Sequence, residues 1–176
     1  MTQALTAFGD GRVELVDMIA PVNTLTEILI RPLFSGVCGT DLEIISGVID
    51  PAFIHYPIVL GHEWCGEVLA TSTQRPDIQV GDVVVVQGII PCESCAECVS
   101  GHTNRCLTYD EFGFTRNGAM APYLLAPAKL VHKIAPNISA VVATLIEPMA
   151  VVLTGIMKAD ISHAPAILIT GHGSGK

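Results

Sequence analysis

Short runs of alternating or uniformly apolar residues, separated by glycine and proline, fill most of the chain and predict many strands joined by turns. Residues 3–17 read as a strand pair turning at Gly9-Asp10-Gly11, with Val13, Leu15 and Val16 on the second strand. Thr26 to Pro32 alternates and predicts a strand, and Thr40 to Ser46 a short helix behind the loop that follows it. Further strands are expected at Trp64 to Thr71, at Asp82 to Gln87, at Tyr123 to Ala126 and at Lys129 to Ile134. The valine run of the 82–87 segment predicts burial on both faces. Ser139 to Lys158 reads as a helix capped by Ser139 and interrupted at Pro148.

One segment needs a second test. Ile138 to Met157 carries a single charge, Glu147, followed at once by Pro148. A carboxylate near the middle of a membrane span is costly, so the expectation is a buried helix beside a functional carboxylate. The first residues lack a basic region followed by a long apolar one, so no secretory signal is expected and the default location is cytoplasmic.

Composition narrows the classes. The 176 residues are half hydrophobic and only 15% charged, which favours a globular chain with a real core. A formal net charge of −8 argues against a nucleic-acid partner, because phosphate binding needs an excess of Lys and Arg. The six cysteines are not expected to form disulfides in a reducing compartment.

Four of them have metal spacing. Cys92, Cys95, Cys98 and Cys106 follow C-x2-C-x2-C-x7-C, which lets four thiolates converge on one tetrahedral ion. A closed cage of this kind is structural; an iron–sulfur centre is the alternative for the same run. A second constellation is scattered: Cys38, His62 and Glu147 offer one sulfur, one nitrogen and one oxygen, with glycines beside Cys38 and His62. Three protein ligands and an open position would make a catalytic zinc site. Singly each residue has a plainer explanation, although a carboxylate in an apolar run needs a cation or hydrogen-bond donors. Cys65 is expected to be a core thiol, and His55, His132 and His163 ordinary residues.

In order along the chain, Gly36-Val37-Cys38-Gly39-Thr40-Asp41, Tyr56-Pro57 with Leu60-Gly61-His62-Glu63 and Gly66, Gly81-Asp82-Val83-Val84, the four-cysteine lobe, Gly118-Ala119-Met120-Ala121-Pro122-Tyr123 and Leu145-Ile146-Glu147-Pro148-Met149 resemble the zinc-dependent medium-chain dehydrogenases. The resemblance implies a mainly β fold. A GroES-like, partly open β-barrel with a few helices (residues 1–158) would be followed by a linker and the first strand of a truncated dinucleotide-binding domain (159–176). It implies two zinc ions, one catalytic on Cys38, His62 and Glu147, and one structural on the four cysteines. Glu63 would exchange into the catalytic shell, Asp41 would accept a hydrogen bond from His62, and Thr40 would pass the substrate proton outward. Many members carry His three residues beyond Thr40; Glu43 stands there instead, a carboxylate of lower ordinary pKa. Pro122 replaces the acidic residue usual in its segment. Glutamate at 147, where typical alcohol dehydrogenases have cysteine, resembles the sorbitol and threonine dehydrogenase branch and implies a polyol, sugar alcohol or hydroxy amino acid as substrate.

The apolar run 166–170 leads into Gly171 and Gly173, which fit the start of an NAD or NADP fingerprint, but Lys176 occupies the third glycine position. The expectation is a fragment inactive alone, with room for a homo-oligomer or for a complementing chain carrying the missing domain. The rival reading is a non-catalytic zinc-binding GroES-like module from a split or degenerate gene.

Overall fold

The computed structural model describes residues 2–159, 161 and 166–168. The chain opens with the hairpin β1 (Gln3–Ala7) and β2 (Val13–Asp17), paired antiparallel with Leu5 opposite Leu15. β1 also pairs with the short strand β4 (Ile58–Val59), giving a three-stranded sheet in the order β2-β1-β4. The larger sheet holds β3 (Glu27–Ser35), β5 (Trp64–Ala70), β6 (Val83–Val86), β9 (Leu124–Pro127) and β10 (Val131–Lys133), in the order β10-β6-β5-β3-β9. A third, two-stranded ribbon pairs β7 (Ile89–Ile90) with β8 (Asp110–Glu111). Helices are few: α1 (Gly39–Ser46), α2 (Ala96–Val99), α3 (Ala140–Ala143) and α4 (Ile146–Ala159).

Alternation builds the core. Ile28 and Ile30 of β3 point inward and pack with Val68, Val84, Val86, Leu124, Ala126 and Val131 from the other four strands of the large sheet. Trp64 and Phe112 close this cluster edge-to-face at 6.2 Å. A second cluster beneath α1 joins Ala7, Ile44, Ile54, Ile58 and Leu60, and so fastens the small sheet to the helix. The architecture is mainly β with a few helices, as expected, and the valine run of β6 is buried from Val84 to Val86.

Three boundaries depart from the sequence reading. β3 does not stop at Pro32: register shifts at Leu29/Ile30 and Pro32/Phe34 let it continue to Ser35. A bulge absorbs the missing proline N–H, so the strand bends without ending. The helical region breaks at Thr144-Leu145, before Pro148. Pro148 lies in the first turn of α4, where its N–H would have no intrahelical partner anyway, so it starts a helix and interrupts none. α4 is also not buried: Met149, Val151, Val152, Leu153 and Met157 are all more than half exposed. The Ser139 cap is present, its hydroxyl accepting from the Val142 N–H at 3.4 Å.

Among the described residues no helix is long and apolar enough to cross a membrane. Ala166–Leu168 carry no regular secondary structure, and the rest of that expected strand lies outside the described residues, as do His163, Gly171 and Gly173.

Candidate metal centres

Strand register decides which distant residues meet. β3 and β5 place Ser35 opposite Trp64. One further bond, from the Gly36 N–H to the Glu63 carbonyl at 2.7 Å, extends the ladder. Cys38 and His62 therefore leave the same end of the sheet, a residue or two beyond the last pair. Gly36 is required for this approach, since a Cβ there would lie 2.7 Å from Glu63 Oε2. Gly61 has φ +98° and presses on the Met120 backbone, so a side chain would be both strained and blocked. The Gly61 turn is clamped by segment 118–120, whose N–H groups donate to the carbonyls of Val59, Leu60 and Gly61 at 2.8 Å.

One ligand atom from each of Cys38, His62 and Glu63 lies within 4.8 Å of the other two. Asp41 underlies them. Its Oδ2 accepts from the Cys38 N–H at 2.8 Å, which locks the start of α1. Its Oδ1 faces His62 Nδ1 at 3.6 Å, too long for the hydrogen bond the sequence led us to expect. Both atoms are buried and have no hydrogen-bond partner. Such orphans are costly in a filled interior. They suit a site in which a cation on the imidazole fixes the ring and draws its N–H toward the carboxylate. Thr40, on the first turn of α1, keeps its hydroxyl 3.7 Å from Cys38 Sγ. Glu43 is one turn further along the same helix and half-buried.

Glu147 approaches from α4 but lies outside the group of three. Burial raises its carboxyl above the usual range, with His62 lowering it and Glu63 raising it. Its position depends on an unexpected link. The buried Cys65 thiol donates to the Ala140 carbonyl at 2.9 Å and accepts from the Thr144 hydroxyl at 3.5 Å. Cys65, a core thiol as expected, thus ties β5 to the segment that leads into Glu147.

The four cysteines form the second group, again with one sulfur from each within 4.8 Å of all the others. Cys92 Sγ lies 4.0 Å from Cys98 Sγ, and Cys95 Sγ lies 3.9 Å from Cys106 Sγ. Sulfurs held at ~2.3 Å by a tetrahedral zinc stand about 3.8 Å apart, so the cage has the right size. The Thr108 hydroxyl, then the Ser94 and Cys95 backbones, bring the Cys92 thiol down to about 5. Burial, then the neighbouring cysteines, push Cys98 up to about 12. Without a cation the thiolates oppose one another; a divalent ion would favour ionisation of them all. Lys129 pairs with Glu93, fastening the lobe to the turn before β10.

A further acidic residue was not anticipated. Glu111 on β8 is half-buried, and its carboxyl is pushed up to about 7 by burial and then by Glu147. Nothing in Leu107-Thr108-Tyr109-Asp110-Glu111 shows periodicity that would mark one acid as inward-facing. Only the pairing of Glu111 with Ile89 reveals it.

Residues 24–136 match the family described as the alcohol dehydrogenase GroES-like domain. The chain is similar to the erythritol/L-threitol dehydrogenase of Mycolicibacterium smegmatis, with 34% identity over 184 aligned positions, covering 97% of this chain and 51% of that protein. It is 35% identical over 161 positions to the L-threonine 3-dehydrogenase of Pyrococcus furiosus, covering 91% of this chain and 46% of that one. Galactitol-1-phosphate dehydrogenase from Escherichia coli superposes with a TM-score of 0.81 at 30% identity, covering 89% of this chain and 45% of that structure. The chain spans about half the length of these relatives.

Proposed function

Since the chain belongs to the zinc-dependent medium-chain dehydrogenase family, we propose that it is the metal-carrying catalytic part of an NAD- or NADP-linked alcohol or polyol dehydrogenase. In this reading residues 1–158 form the catalytic domain and 159–176 belong to the cofactor domain, with Gly171 and Gly173 as its first cofactor-binding residues. The protein works in the cytoplasm on a small-molecule alcohol, without a nucleic-acid partner.

The observation that carries the reading is the meeting of Cys38, at the start of α1, with His62 and Glu63, in the turn before β5, with one ligand atom of each within 4.8 Å of the others. Cys38 and His62 would hold the catalytic ion, with the third position shared by Glu63 and Glu147. The four cysteines would hold the structural one. Zinc at the first site supplies Lewis-acid polarisation, which brings an alcohol's pKa toward neutrality. This chain's own residues then manage the proton. Thr40, beside Cys38, takes it from the substrate hydroxyl, and Glu43, one turn along α1, receives it toward solvent. With an ion on the imidazole, Asp41 would close its 3.6 Å gap to His62 Nδ1 and hold the ring in place. The similarity to an erythritol/L-threitol dehydrogenase, together with glutamate at 147, supports a polyol as substrate.

Cobalt substituted for zinc tests this directly. Adding erythritol to the cobalt-loaded chain should shift the visible bands of the open site, and Cys38→Ser should abolish the shift. Bands indifferent to erythritol at saturating concentration would defeat the proposal.

A further inference from the structure

A cavity of about 560 Å³ opens beside Glu147, within the ~300–1,000 Å³ range of small-molecule sites. Its wall includes Trp64, Ile89 and Glu147, and its polar groups include Gln87, Asn104, His132 and the Thr103 and Thr154 side chains. Trp64 joins this space to the metal group, because it follows His62 and Glu63 directly in the chain and lines the cavity together with Glu147.

Ile89 identifies a residue behind that wall. It pairs with Glu111 across the β7–β8 ribbon, and directly opposed residues in an antiparallel pair point to the same face. Ile89 lines the cavity, so Glu111 faces the same side. The loop that follows fixes it: the Glu111 carbonyl accepts from the N–H groups of Phe114, Thr115 and Arg116. A Cβ added at Gly113 would lie in van der Waals contact with the His62 Cβ, at 3.5 Å, and the Phe114 ring lies 5.4 Å from the imidazole. Glu111 is therefore anchored against the metal group. Its carboxylate has no hydrogen bond or ion pair among the described residues, since the nearby Arg116 is engaged by Glu27. Among the described residues no lysine or arginine lines the cavity.

We propose that Glu111 is a specificity-determining residue: its carboxylate accepts hydroxyl hydrogen bonds from the tail of a neutral polyol and excludes polyols that bear a phosphate. This rests on the dehydrogenase reading above and deepens it. A carboxylate accepts from hydroxyl donors, whereas a phosphate brought to an acidic wall without a cation meets like charge and lost hydration.

Trp64 is the chain's single tryptophan and lines the cavity, so its fluorescence reports occupancy. The zinc-loaded chain is titrated with erythritol and with sorbitol 6-phosphate, alongside Glu111→Gln, with zinc content and circular dichroism recorded for each. The wild type should bind erythritol at least roughly tenfold more tightly than the phosphate, and Glu111→Gln should narrow that ratio by roughly tenfold. A ratio unchanged in a variant of normal zinc content and fold overturns the proposal, as does a wild type that binds neither polyol. Cys38→Ser separates the two readings. If it loses one zinc yet binds erythritol as before, the metal-bound alcohol fails while the role of Glu111 stands.

Discussion

The cysteine lobe and the Cys38–His62–Glu63 group are both made of side chains able to hold a metal ion, but they are assembled in opposite ways. The lobe draws all four ligands from residues 92–106, and its only secondary structure is one turn of α2 and a 3-10 turn at Thr103–Arg105. It has little core of its own; Cys106 is its one buried ligand. The other group takes its ligands from the start of α1 and from the turn before β5, with Glu147 arriving much later in sequence. Nothing local brings them together. The sheet does, through the β3–β5 register and the clamp of segment 118–120 on the Gly61 turn. A metal should therefore organise the lobe, whereas the barrel should organise the site for the metal.

Breaking the lobe should give the largest effect. Structural zinc contributes ~10–16 kcal/mol of apparent binding in small zinc domains. Cys98→Ser should cost the lobe its metal and open residues 92–106 to protease. The near-ultraviolet signal of Trp64, packed in the main core, should persist. Limited proteolysis with metal analysis checks this, and a lobe that stays protected without its ion would break the contrast.

The converse experiment strikes the barrel. Ile30 is fully buried in β3, and Ile30→Ala should lower stability by about 2–5 kcal/mol. Metal affinity at Cys38 and His62 should fall with it, while the lobe keeps its ion. Chemical denaturation followed by competition with a chromophoric chelator gives both numbers.

A smaller effect sharpens the comparison within the open site. Asp41→Asn removes the charge facing His62 Nδ1 and should weaken metal binding there by roughly 10–100-fold. Lobe affinity should not move.

The smallest effect appears with pH in the metal-free chain. Glu111 has its ordinary carboxyl value of 4.5 raised to about 7 in the fold. A raised folded value means the native state holds the proton more tightly than the unfolded one. Its contribution to stability is thus fully present below pH 4.5 and is lost as pH rises through about 7. Melting curves of the metal-free chain should show this decline between those limits, and Glu111→Gln should flatten it.

The same distinction explains how much the sequence disclosed. The cysteine lobe was legible because its short spacing alone brings four thiols together, and the strands were legible where burial alternates, as at Ile28 and Ile30. Cys38 and His62 were singled out by their glycine-rich settings, but their meeting is a property of register, which no local pattern encodes. Glu63 proved closer to them than Glu147, an outcome set by where α4 begins. That start was misread because a proline looks like an interruption until its place in the first turn is known. The expected burial of α4 failed for a different reason. Apolar composition shows that a helix favours cover, not that the described residues supply it. Glu111 was invisible, since a half-buried acid in a two-residue strand has too short a context to show a period.

Native mass spectrometry of the zinc-loaded chain tests the central claim most directly, by counting the ions each molecule holds. The account predicts two zinc ions in the wild type and one in Cys38→Ser. A wild type that binds one zinc, unchanged by Cys38→Ser, would contradict it.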